Sequence, residues 1–177
     1  MPARTERAGV PELKLRALRP PDHAEVGALL RRVVSFEPAE VLAAQARIEG
    51  FLSLPPSAPE RVIGAFVGDR LVGLACAGPS STSVHGWDLY WLAVDPTAHG
   101  RGIGARLIEA VDAHAGGHGG RILRAEMSGH PQNLGTLAFY RRAGFSIAGR
   151  IPDFYANDDD LVTLYRPLRP RPRVAAA

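Results

Sequence analysis

The sequence predicts a mixed α/β (α+β) fold: one sheet with helices packed on it, in a single domain. Three observations carry this. The chain has 177 residues, 46% hydrophobic and 22% charged, which is enough for one core and close to the globular average. Apolar runs of strand length alternate with stretches of helical periodicity, in the order β α α β β β α β α β β. Proline and glycine punctuate the joins, and no repeat or linker divides the chain. The expected organisation is a domain over residues 12–168 between flexible ends, 1–11 and 169–177.

The elements follow in order. Residues 12–18 alternate apolar and polar and read as a strand that Pro20-Pro21 stops. Asp22, with Glu25 three residues on, predicts a capped helix start. Val26, Leu29, Leu30, Val33 and Val34 follow at helical spacing. Pro38 opens a second helix through Val41, Leu42, Ala46 and Ile48. Residues 54–59 form a proline-rich loop. Runs at 61–67 and 71–78 flank Gly68-Asp69, a hairpin signal. The aromatic run at 87–94 is a third strand of this group, and alternation places Trp87 and Trp91 on one face and Tyr90 on the other.

Gly100 to Gly104 leads into a helix whose apolar face carries Ile103, Leu107 and Val111 and which closes at Gly116-Gly117. Residues 121–127 read as a strand and 131–142 as a helix ended by Gly144. Strands at 145–150 and 161–165 close the domain, joined by a loop at 152–160.

Charge and composition exclude several classes. Net charge is +3, and Arg166, Arg169, Arg171 and Arg173 at the C-terminal edge account for the excess. A basic tail can touch nucleic acid, yet a solvated end satisfies the same pattern, so nucleic acid is not an expected partner. No apolar run reaches ~18 residues, which argues against a membrane helix and a membrane partner. Residues 1–9 lack the apolar centre of a secretory signal. The single cysteine, Cys76, excludes an internal disulfide framework and a multi-cysteine zinc site, and in an apolar strand it reads as core. His114 and His118 are four apart but separated by Gly116-Gly117, which argues against a shared metal face. The expectation is a cytoplasmic protein without a metal.

The segment from Leu92 through Gly104 to Leu107 is the most informative. A strand ends, glycines turn the chain and a helix begins. The first helical turn has N–H groups with no intrahelical acceptor, and the helix dipole adds positive charge there. Glycines allow close backbone approach, so the turn suits a pyrophosphate, with Arg101 and Arg106 at its rim. A bare turn with no ligand has the same local pattern. A Walker A loop would need a lysine here. A dinucleotide fingerprint would need a third glycine, or alanine, where Leu107 stands, and would follow the first strand.

Two motifs carry a family resemblance. Val94-Asp-Pro96 followed by His99-Gly-Arg-Gly102-Ile-Gly104 resembles motif A of the GNAT N-acetyltransferase superfamily, with His99 where the family prefers Gln or Arg. Asn133 through Phe139-Tyr140 to Gly144-Phe145 resembles its motif B. The likeness spans nearly the whole domain. It implies a mixed, mostly antiparallel sheet of six or seven strands flanked by about four helices, whose fourth and fifth strands splay apart to admit acetyl-CoA. It also implies cofactor contacts from the backbone of Leu92, Ala93 and Val94, from His99, Gly100, Arg101, Gly102, Ile103 and Gly104, and from Asn133 and Tyr140. Acetyl transfer would be direct, to an amine of a small molecule or peptide. Many family members dimerise, so a homodimer is compatible with the resemblance, though nothing in the sequence marks an interface.

Such chemistry needs a neutral amine, a stabilised oxyanion and a proton for the leaving thiolate. Tyr140 is the candidate acid, since a phenol of pKa ~10 is protonated at neutral pH. The core-aromatic reading of Tyr140 is the plain alternative. Glu126 and Asp88 are the candidate bases, directly or through water; a sheet-face carboxylate and a strand-end ion pair are their structural readings. A lysine-like amine costs about 4–5 kcal/mol to deprotonate at pH 7, an α-amine only about 1. The resemblance implies that backbone N–H groups around Leu92 to Val94 face the oxyanion. In the family that it resembles this loop often borders the acceptor site, so Asp153, Phe154 and Tyr155 are expected to wall the pocket and favour a cationic amine, although the aspartates there suit a polar turn at Asn157-Asp158 equally well. The alternative function is a non-catalytic acyl-CoA-binding or sensor domain.

Overall fold

A computed structural model describes residues 12–33 and 38–168. The tails at 1–11 and 169–177, with Arg169, Arg171 and Arg173, lie outside the described residues, as does Val34. The strands are β1 (Leu13–Ala17), β2 (Arg61–Val67), β3 (Arg70–Pro79), β4 (Gly86–Val94), β5 (Ile122–Ser128), β6 (Ser146–Ala156) and β7 (Asp159–Pro167). The helices are α1 (His23–Leu30), α2 (Pro38–Leu52), α3 (Ile103–Gly117) and α4 (Leu134–Arg142). The strands form one seven-stranded sheet in the order β1-β2-β3-β4-β5-β7-β6. Every neighbouring pair is antiparallel except β4–β5. The α/β expectation, with a mostly antiparallel sheet and four helices, holds.

Each face of the sheet has its own core. Ile103, Leu107, Ile108, Val111 and Ala115 of α3 and Tyr140 of α4 pack with Ala75, Trp87, Leu89, Leu123 and Val162. On the other face Val26, Leu29 and Leu30 of α1 and Val41, Ala44 and Ile48 of α2 cover Leu74, Cys76 and Ala93. Burial at 41, 44 and 48 is the stripe that a straight helix lays on a sheet. Leu42, 68% exposed, and Ala46 lie off it, against the expectation that they share the apolar face. Burial pushes the Cys76 thiol up, so it stays protonated.

Asp22 does not cap α1 in the expected way. Its carboxylate accepts from both terminal nitrogens of Arg16 (2.7 and 2.8 Å) and from the Arg19 amide (2.8 Å), closing the short turn at Pro20–Asp22 instead. A nearby guanidinium competes successfully for an oxygen that would otherwise turn back to the helix.

β4 carries a bulge. Cys76 faces Trp91 and Ala77 faces Leu89, which leaves Tyr90 without an opposite residue. One extra residue reverses every later side chain. Trp87 and Leu89 therefore enter the α3-side core, while both Tyr90 and Trp91 pack on the α1–α2 side. The alternation read from the sequence, Trp87 with Trp91, fails at that residue.

β6 runs further than expected. Residues 152–156 belong to the strand, and Ile151 faces Leu161 while Ala156 faces Asp159, so the residues between them bulge out. Asp153 sits at φ 53 and Asp158 at φ 62, both left-handed.

Candidate active site

β4 and β5 pair over four rungs only, from Gly86–Ile122 to Leu89–Ala125. Beyond Leu89 the two strands separate. β5 keeps its pairing with β7 out to Ser128, and β4 keeps its pairing with β3 out to Val94. The gap between them is the splay expected from the sequence.

Which backbone groups face that gap follows from the ladder phase. The Asp95 amide donates to the Val72 carbonyl (2.9 Å), with Val94 opposite Gly73. Val94–Gly73, and Leu92–Ala75 two residues back, are then the non-hydrogen-bonded pairs. The N–H and C=O of Leu92 and Val94 turn into the gap. Those of Ala93 turn to β3, so Ala93 does not offer its backbone there. The Val94 carbonyl accepts from His99 Nε2 (3.0 Å), which places the His99 ring at the foot of the gap.

The glycine turn lies next to it. Gly100 (φ +74) and Gly102 (φ +73) both adopt left-handed backbone, and a Cβ at either would meet nothing within 4 Å. The first helical bond of α3 runs from the Arg106 amide to the Gly102 carbonyl (3.1 Å). The amides of Ile103, Gly104 and Ala105 accordingly have no intrahelical acceptor, the donor set an anion needs. Gly104 answers to a different demand. A Cβ there would stand 2.9 Å from the Phe139 ring, so its bareness lets α4 approach α3.

A buried carboxylate anchors this turn. Asp95 has no exposed surface and is pulled by Arg32 Nε (2.8 Å), Arg70 Nη2 (2.7 Å), and the Thr97 amide (3.0 Å) and hydroxyl (2.7 Å). Burial alone would raise its pKa, but the bonds from Thr97 and Arg32 outweigh that and hold it at about 2. The turn is thereby tied to the end of α1 and to the β2–β3 hairpin. The Asp-Pro pair could have signalled an N-cap, a reading not made from the sequence above; nothing local marks the two arginine partners.

On α4, Tyr140 is 7% exposed, with Phe139 and Phe145 in edge contact at 5.5 and 5.1 Å between ring centroids. Burial pushes its phenol up to about 12. Asn133 precedes the helix and donates to Ser128 Oγ (3.0 Å), whose own hydroxyl donates to Asp159 (2.6 Å). Ser128 and Asp159 thus fix the start of α4 to the ends of β5 and β7, roles the sequence did not reveal.

Asp88 is held by Arg124 Nε at 2.7 Å, a strand-end ion pair. Glu126 lies one residue past the last rung, exposed, with Arg124 Nη1 at 3.8 Å. Asp153 accepts from the Asp158 amide (2.8 Å) and serves the tip of the β6–β7 hairpin. Phe154 and Tyr155 are exposed and in edge contact at 5.1 Å. Burial and the charges of Glu126, Asp159 and Glu40 raise the Tyr155 pKa, which sets its ring in an acidic neighbourhood. His114 and His118 do meet, at 4.4 Å between ring centroids, because α3 continues through Gly117. Among the described residues no group of three or more His, Cys, Asp or Glu side chains gathers, and no helix is long and apolar enough to cross a membrane.

These elements thus build a splayed strand pair with a glycine-turned helix start at its end. The chain belongs to the acetyltransferase (GNAT) family, whose sequence profile matches residues 30–145. An acetyltransferase of that family from Desulfovibrio desulfuricans is similar over 89% of this chain and 100% of its own, with TM-score 0.84 and 30% identity. An aminoglycoside 6'-N-acetyltransferase complexed with coenzyme A aligns over 90% and 99%, TM-score 0.71, 17% identity. The ribosomal-protein-S18-alanine N-acetyltransferase of Escherichia coli aligns over 94% and 100%, TM-score 0.70, 16% identity. The last two are alike in fold alone. No curated protein matches the chain.

Proposed function

We propose that the protein transfers the acetyl group of acetyl-CoA directly to a primary amine of a small molecule or peptide. The observation that carries this reading is the gap itself. Leu92 turns its N–H and C=O and Val94 its N–H into it without a strand partner, and the helix start after Gly102 ends it with free amides. An amide-bearing arm can add there as a strand does, with its pyrophosphate on the helix start. The likeness to a fold solved with coenzyme A supports the same cosubstrate.

Tyr140 donates the proton that the departing thiolate needs. A phenol at about 12 stays protonated through the physiological range, so it serves as acid and not as base. Glu126 accepts the amine proton, directly or through water, since Arg124 engages Asp88 more closely. Phe154 and Tyr155 wall the acceptor side; the Asp153 side chain is engaged in its turn. The donor and acceptor bind together and no acetyl-enzyme forms.

The test is thermal unfolding with acetyl-CoA, free CoA and ATP. At ~100 times its Kd a ligand adds about 2.7 kcal/mol, a shift of several degrees. Stabilisation by acetyl-CoA and not by ATP is the expected result. No shift at millimolar acetyl-CoA would overturn the reading.

A further inference from the structure

Arg47 projects from α2 and lies 4.8 Å from the Tyr90 ring centroid and 5.8 Å from that of Trp91. It is exposed and has no carboxylate within 4 Å among the described residues. Three arginines nearer the sheet are engaged: Arg124 by Asp88, and Arg32 and Arg70 by Asp95. An exposed guanidinium needs no partner in water. This one is nonetheless held in place over two aromatic rings, which fixes its position without neutralising its charge.

The position matters. Leu89–Ala125 is the last rung between β4 and β5. Tyr90 is the next residue on one lip of the gap and Glu126 the next on the other. The bulge at Tyr90 turns both Tyr90 and Trp91 to the α1–α2 side. Glu126 shares that side, because Leu123 and Ala125, its alternating neighbours, enter the opposite core. One lip thus carries the Arg47 guanidinium above Tyr90, with Asp88 two residues back held by Arg124, and the other carries Glu126, 3.8 Å from the same Arg124.

Resting on the acetyltransferase reading above, we infer that the acceptor is an amino-acid-type zwitterion. Its amine faces Glu126 and its carboxylate is read by Arg47. A guanidinium forks onto a carboxylate through two parallel N–H···O bonds, and the ring faces beneath leave that edge to the ligand. Arg47 is here a specificity-determining residue and takes no part in the chemical step. A simple polyamine, two cations and no anion, would be opposed by the same charge.

The experiment measures thiol release from acetyl-CoA with a panel of free L-amino acids, each beside its own carboxamide. The two differ in the carboxylate and keep the amine. In the unaltered protein at least one acid is expected to show a lower KM than its amide. Arg47→Gln should raise KM for that acid about tenfold, about 1.4 kcal/mol, and leave its amide within about twofold. Arg47→Lys should recover part of the loss. Stabilisation of the variant by acetyl-CoA should be unchanged, which separates a lost acceptor contact from a damaged fold.

Carboxamides used as well as the acids, or an Arg47→Gln effect equal on both, would overturn the inference. So would acetyl-CoA stabilisation with no amino acid turned over, and that outcome leaves the acetyltransferase reading standing. Absence of any acetyl-CoA stabilisation would remove both.

Discussion

The lower and upper halves of the β4–β5 seam are made by the same two strands and behave in opposite ways. Below Leu89 the strands are zipped, and the join is sealed by Trp87, Leu89, Leu123 and Ala125, all buried. Trp87 is itself packed by His114 at 5.6 Å and by the bare face of Gly120. Above Leu89 there is no rung, and stability comes from elsewhere: from β3 and β7 on the outer edges and from the Asp95 anchor at the top. The lesson is that an open edge inside a sheet needs an external brace. Backbone groups left unpaired for a ligand contribute nothing to the fold until the ligand comes.

The comparison can be broken at the brace first. Asp95→Asn leaves Arg32 and Arg70 without their carboxylate, and the expected loss is about 3 kcal/mol in urea unfolding. Acetyl-CoA affinity should fall with it, because the glycine turn starts at that residue. Unchanged stability would show that the upper seam stands without the anchor.

Next in size is the chemistry above the seam. Tyr140→Phe is expected to lower kcat about 100-fold with little change in KM, measured by thiol release. Full turnover at every pH would remove the tyrosine from the proton path.

Acid titration sharpens the same contrast. The Asp95 carboxyl sits at about 2 in the folded chain, against 3.8 ordinarily. A lowered pKa gives stability that is whole above the ordinary value and disappears as pH falls through it towards the folded one. About 2 kcal/mol should be lost between roughly pH 4 and pH 2, and the Asp95→Asn variant should lack that component. A variant that follows the parent curve unchanged would contradict the assignment.

The smallest effect belongs to the zipped half. A Cβ at Gly120 would come within 2.6 Å of the Trp87 ring, so Gly120→Ala should cost about 1–2 kcal/mol and alter tryptophan fluorescence. Acetyl-CoA affinity should stay within about twofold. A large loss of affinity would mean that the two halves are not independent.

Much of this arrangement was legible in the sequence for physical reasons. Most strand and helix periods, the Gly68 hairpin and the helix stop at Gly144 are local and matched their elements; the length of β6 and the face of Leu42 and Ala46 did not. The glycine turn was legible because left-handed backbone at 100 and 102 demands glycine. What failed was non-local. The bulge at Tyr90 has no composition of its own, and it alone moved Trp91 to the other face. Asp22 was captured by Arg16 across a turn. Asp153 looked like a pocket wall because aspartate near aromatics suits a cation. Its left-handed backbone and its bond to the Asp158 amide make it part of a hairpin end. Ser128 and Asp159 gave no signal, since their bonds depend on which strand ends come together.

The contact between Gly104 and Phe139 joins two parts of the site that the chain keeps far apart. Phe139 precedes Tyr140 on the same short helix, and its ring rests where a side chain at 104 would be. The glycine turn and the helix that carries Tyr140 therefore meet at a missing methyl group. Adding that methyl would push on the Phe139 ring, which itself lies against Tyr140. The third glycine of the turn is in this sense a spacer that sets how closely α4 rides on α3.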